Sequence, residues 1–139
     1  FDRLIETLSS DGTGDQITSF DNDSNPLTRM TRAGQTITST YDVLDRVASK
    51  AVPAVGAIPA NTTTWSYDLA GKVTGLSDTL GNSLSNSYDL AGRLTGETET
   101  VPGLSAKAVS YQYDQAGNRA RLTGPTVTMS PTPMTPSIG

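Results

Sequence analysis

Four carboxylates stand directly beside four phenols in this chain, at Tyr41-Asp42, Tyr67-Asp68, Tyr88-Asp89 and Tyr113-Asp114. An acid next to a phenol suggests proton transfer. Carboxylate catalysis of that kind needs an unequal pair in one pocket, one group protonated and the other ionised. Four equivalent copies spread along a chain do not make such a pair. Asp at the head of Asp-x-x-Gly has a simpler use, since its side chain accepts a backbone N–H two residues on and fastens a turn. The aspartates are therefore read as turn caps, and no catalytic residue is assigned.

Other chemistries fail on residue type. There is no His and no Cys, which removes the common nucleophilic triads, thiolate chemistry and three-His metal sites. Asp21-Asn22-Asp23-Ser24-Asn25 has the oxygen spacing that begins a calcium loop, but Pro26 stands where that loop needs Gly and Arg32 where it needs Glu. The chain is expected to bind no metal and no cofactor and not to be an enzyme. Trp65, the only Trp, is the candidate ligand platform, because an indole offers a flat apolar face for stacking a sugar. Packing against neighbouring strands is the competing use of the same ring.

The elements that position these residues are legible as a repeat. Tyr-Asp-Leu-Ala-Gly occurs at Tyr67 to Gly71 and again at Tyr88 to Gly92, with looser copies at Tyr41 to Val47, at Tyr113 to Asn118 and at Phe20 to Asn25. The leading aromatics at 20, 41, 67, 88 and 113 are 21, 26, 21 and 25 residues apart, and recurrence in this range marks a repeat architecture. Residues before each copy alternate, as in Trp65 and Tyr67 against Thr64 and Ser66, which puts apolar side chains on one face of a strand. The phrase is then a turn, with Gly71, Gly92 and Gly117 supplying positive φ. Second turns are expected at Arg32 to Gln35 and Thr79 to Asn82. The longer units place their extra residues at Val52 to Asn61 and Val101 to Ala106, where insertions cost little. Tight and looped ends thus predict two unlike sheet edges.

Composition agrees with thin sheet. Leu, Ile, Val and Phe total only 27 of 139 residues, whereas Thr (21) and Ser (15) exceed a quarter of the chain. Thr suits half-buried pleated surfaces, and a net charge of -4 is too low for the charge-driven disordered class. That acidic balance, with no basic patch, excludes nucleic acid as a partner. The longest weakly polar stretch, Ala51 to Ala60, contains two prolines and is far short of a membrane span. Residues 1–122 are read as β-hairpin repeats, with motif copies near 1, 20, 41, 67, 88 and 113. Residues 123–139, carrying four of the eight prolines, are read as a disordered Pro- and Thr-rich tail. Because Asp2-Arg3-Leu4-Ile5 resembles the end of a copy, the chain is expected to be a piece of something longer.

The Tyr-Asp-x-x-Gly-Arg-Leu-Thr phrase, recurring about every twenty residues with a second Gly before the next Tyr, resembles the YD repeat of the Rhs family. The resemblance covers residues 1 to about 122. It implies all-β tandem antiparallel hairpins forming part of a spiralling sheet or shell. In bacterial Rhs and toxin-complex proteins that shell encloses a C-terminal toxin, and animal teneurins carry a related barrel at the cell surface. The implied function is a structural segment of a secreted or cell-surface protein, and its partners are neighbouring repeats of the same protein and an enclosed toxin domain. The alternative is a carbohydrate-binding or adhesion module. The Asp-Pro-rich segment that closes the family's shell is not in this sequence, so no self-cleavage or toxin activity is carried over.

Overall fold

Alternating polar and apolar residues become strands along the whole described chain. The computed structural model describes residues 6–8 and 14–125. Among these residues eleven strands follow one another: β1 (Glu6–Leu8), β2 (Gly14–Phe20), β3 (Pro26–Met30), β4 (Thr36–Tyr41), β5 (Val47–Val52), β6 (Asn61–Tyr67), β7 (Val73–Asp78), β8 (Ser83–Tyr88), β9 (Leu94–Thr100), β10 (Lys107–Tyr113) and β11 (Arg119–Thr123). Every neighbouring pair is antiparallel, and the order across the sheet is the order along the chain, with no crossover. This is the all-β array of tandem hairpins that the repeat predicts. No helix of the described residues is long and apolar enough to cross a membrane. The motif copy expected near residue 1 and most of the expected tail, residues 126–139, lie outside the described residues.

Register sorts the side chains onto two unlike faces, because residues directly opposite each other share a face. One face pairs Tyr41 with Val47, Trp65 with Leu76, Tyr67 with Val73, and Tyr88 with Leu94. The other pairs Thr38 with Ala51, Ser49 with Thr64, Gly75 with Ser85, and Ser87 with Gly96. From β4 to β9 this second face carries only Thr, Ser, Ala and Gly. Several of its hydroxyls satisfy one another across strands, as Thr40 and Ser49 do at 2.7 Å.

The described residues form a single layer, and burial shows it. Among the described residues Ile37 is the only buried hydrophobic side chain, at 9% exposure, and none is completely enclosed. A strip of this kind draws its stability from neighbour-to-neighbour contact along the array rather than from a central core.

The two edges differ. Turns at Asp21, Asp42, Asp68, Asp89 and Asp114 all fall on one edge and are equally short. Among the described residues the opposite edge carries two short turns, at Thr31 and Asp78, and two longer connections. Between β5 and β6 the chain folds over itself through a bridge of Val55 to Ile58, and between β9 and β10 it turns at Val101 to Leu104.

Candidate functional site

Each Tyr-Asp phrase builds a corner of one design. At the corner of β6 and β7 the Asp68 N–H donates to the Lys72 carbonyl at 2.9 Å, and the Gly71 N–H donates to the Asp68 carbonyl at 3.0 Å. This is a three-residue hairpin loop in which a tight turn is followed by one residue in the left-handed region. Gly71, Gly92 and Gly117 fill that position with φ of +82°, +78° and +85°. Asp45 and Ser24 hold it in the other two corners, at +59° and +73°. The register shifts at Tyr41, Tyr67, Tyr88 and Tyr113, each of which faces a bulge whose extra residue, Ala48, Thr74, Thr95 or Ala120, lies on the returning strand.

The aspartate closes the loop from inside. One oxygen of Asp68 accepts the Lys72 N–H at 2.8 Å, and Asp89 and Asp114 accept the N–H groups of Arg93 and Asn118 in the same way, at 2.9 and 2.8 Å. In Asp42, Asp89 and Asp114 the second oxygen takes the side chain four residues on. Arg46 Nε donates to Asp42 and Arg93 Nε to Asp89, both at 2.7 Å. These bonds favour the ionised form. The Arg46 side chain is the main cause holding the Asp42 carboxyl below its ordinary value, and the N–H groups of Arg93 and Asn118 do the same for Asp89 and Asp114.

Corners are also joined to one another. Each Tyr hydroxyl reaches back across the sheet and donates to the backbone near the start of the preceding hairpin's returning strand. Tyr41 reaches Pro26 O at 3.1 Å, Tyr67 reaches Val47 O, Tyr88 reaches Val73 O and Tyr113 reaches Leu94 O, the last three at 2.8 Å. In the forward direction the cation of one corner covers the ring of the next. The guanidinium of Arg46 lies 4.3 Å from the Tyr67 centroid, Lys72 Nζ lies 5.9 Å from that of Tyr88, and Arg93 lies 4.6 Å from that of Tyr113. All three are within cation–π range. Asn25, which stands in the cation's place at the first corner, donates instead to Asp45 of the next at 2.8 Å. The result is a ladder along one edge: aspartate to cation at Arg46 and Arg93, cation to the next tyrosine, and tyrosine to backbone.

A search of solved structures finds the backbone fold of this sheet elsewhere. The crystal structure of TcdB2-TccC3-TEV matches 84% of this chain with a TM-score of 0.69 at 20% identity. The fold is that of TcdB2-TccC3. The chain spans only 6% of the length of that TcdB2-TccC3 chain. Two further likenesses are weaker: TcdB2-TccC3-Cdc42, at 16% identity and a TM-score of 0.47 over 86% of this chain and 9% of that one, and the Photorhabdus luminescens Tc holotoxin pore, at 14% identity and 0.29 over 86% and 10%. No protein-family model matches the sequence, and no curated protein matches it in sequence. The all-β array of hairpins expected from the repeat phrase agrees with that fold.

Within that fold the corner aspartates do not meet one another; each belongs to its own turn. Asp21, the first oxygen of the calcium-like spacing, accepts the N–H groups of Asp23 and Asn25 at 3.0 and 2.8 Å, and its other oxygen takes Asn25 Nδ2. Among the described residues no three His, Cys, Asp or Glu side chains converge as a metal site would need. Trp65 is half-buried and faces Leu76 on the aromatic side.

Two features escape the sequence reading. The turn expected at Thr79 to Asn82 forms, but its cap was missed: Asp78, outside any Tyr-Asp phrase, builds the same corner on the opposite edge. It accepts the N–H groups of Leu80 and Asn82 at 3.0 and 2.8 Å, and Asn82 Nδ2 is the first cause lowering its carboxyl. Asp-x-x-Gly-Asn was the available signal, hidden because no Tyr precedes it. The stacking of each cation on the following tyrosine is the second, because spacing does not show which residues of successive repeats touch.

Proposed function

We propose that this chain is a wall segment, one strip of a β-shell belonging to a longer Rhs-type secreted or cell-surface protein that encloses or displays a C-terminal effector. The observation that supports this reading most is the single-layer sheet itself. A strip with one buried hydrophobic side chain among its described residues and strands laid down in chain order has the form of a surface to be extended, not a body with a core. The TcdB2-TccC3 fold supports it from outside the chain. Function in this reading is enclosure, and the corner ladder is what keeps the wall continuous from hairpin to hairpin.

Limited proteolysis of the longer parent protein tests the proposal. Removing the two hairpins from β6 to β9 is expected to make a protected C-terminal region digestible while the rest of the wall stays strand-rich. A C-terminal region equally digestible before and after the deletion overturns it.

A further inference from the structure

The aromatic face is not flat. Between β2 and β7 it curls into one concavity of about 540 Å³, so that Ile17 and Val73, five strands apart, line the same space. Its floor is Ile37 with the rings of Tyr41, Trp65 and Tyr67. The hydroxyls of both tyrosines are engaged by the carbonyls of Pro26 and Val47, so what the rings leave free is apolar surface. Two cations, Arg29 and Lys50, complete the lining, and among the described residues no carboxylate lines it. Arg29 shares its charge with Asp15 at 3.6 Å. Lys50 stands half-buried between Ser39 and Thr63, and no ion pair holds it among the described residues.

An apolar hollow with a net positive lining complements an apolar group that carries negative charge. The uncharged stretch 126–139 does not match it. We propose that this concavity docks an acidic peptide segment of a partner protein, one bulky apolar side chain resting on Ile37 and Trp65 and flanking carboxylates reaching Lys50 and Arg29. The concavity offers this surface whether or not the wall encloses an effector.

Trp65 is the only Trp of the chain and lines the hollow, so its fluorescence reports occupancy directly. The probes are the blocked peptides Glu-Leu-Phe-Glu, Gln-Leu-Phe-Gln and Lys-Leu-Phe-Lys, titrated into the 139-residue chain. The acidic peptide is expected to shift Trp65 emission saturably, with the neutral one binding about tenfold more weakly, the effect of one well-placed charge contact. Lys50→Glu is expected to abolish that preference and favour the basic peptide, and Lys50→Gln to equalise acidic and neutral peptides. Ser85→Glu, on the hydroxyl face, is expected to change nothing. Equal binding of acidic and neutral peptides by the unaltered chain, or no response to either, overturns the proposal. Saturable quenching by cellohexaose with no dependence on Lys50 overturns it in favour of carbohydrate.

Discussion

Arg46 lies over Tyr67, its guanidinium carbon 4.3 Å from the ring centroid, while its Nε and Nη2 both hold Asp42 at 2.7 Å. One side chain thus closes its own corner and roofs the next. Partly exposed cation–π contacts are worth about 0.5–1 kcal/mol. A double-mutant cycle of Arg46→Ala and Tyr67→Leu, followed by urea unfolding, is expected to show coupling of about that size. Additive losses within error refute the link between corners.

Tyrosine hydroxyls should not contribute equally. Tyr67→Phe removes the bond to Val47 O and is expected to cost about 0.5–1.5 kcal/mol, the usual net value of a hydrogen bond. Tyr88→Phe should cost less, because the Val73 carbonyl it leaves also accepts Asn86 Nδ2 at 3.2 Å. Comparing the two denaturation midpoints checks the order, and a larger loss for Tyr88→Phe contradicts it.

Ser24 occupies the left-handed position that glycine fills in three other corners, at φ +73°. Left-handed backbone costs an L-residue roughly 1–2 kcal/mol, partly offset by the larger chain entropy of glycine. Ser24→Gly is therefore expected to stabilise the strip by about 0.5–1 kcal/mol. The converse change, Gly92→Ala, should destabilise it by more than Gly71→Ala does. A Cβ at Gly92 would lie 2.6 Å from Lys72 Nζ, whereas one at Gly71 would meet its nearest atom, Arg46 Nη1, at 3.9 Å. Midpoints in the reverse order would show that the Lys72 contact yields at no cost.

Acid should open the corners together. Asp42, Asp78, Asp89 and Asp114 are all held below the ordinary value of 3.8 by the bonds that close their turns. Folded-state values below the unfolded one mean that this stability is present above about pH 4 and is lost as pH falls through the lower folded values. Strand signal in circular dichroism is expected to hold at pH 5 and fall below pH 4. Changing all four aspartates to Asn should flatten that acid limb, and an unchanged limb would place the titration elsewhere.

Leu69 and Leu90 point straight out from the tips of their turns, at 109% and 110% exposure. Leu69→Ser and Leu90→Ser are expected to leave the unfolding midpoint within about 0.5 kcal/mol of the parent. A larger loss would mean that these tips are covered within the strip.

Much of this structure was legible before any coordinate. Alternation around Trp65 and Tyr67 placed strands, Asp-x-x-Gly placed turns, and the two long connections fell where Pro and small residues had accumulated. Those signals are local, read within five or six residues. What stayed hidden joins residues one repeat apart, such as Arg93 and Tyr113, because the 21 to 26 residue spacing varies with loop length while the distance across the sheet does not. The hydroxyl face was present in the sequence as a surplus of Thr and Ser. Only the register showed that they gather on one side.

The plain strand order, β1 to β11 without a crossover, has a temporal consequence. Each strand's partners are the one made just before it and the one made just after, so contacts are short in sequence and folding need not wait for a distant segment. A chain leaving the ribosome could add each hairpin to the edge left by the last, with Lys72 in place before Tyr88 is synthesised and Arg93 before Tyr113. The ladder along the turns would then act as a ratchet of assembly, in which every finished corner presents the cation that catches the next.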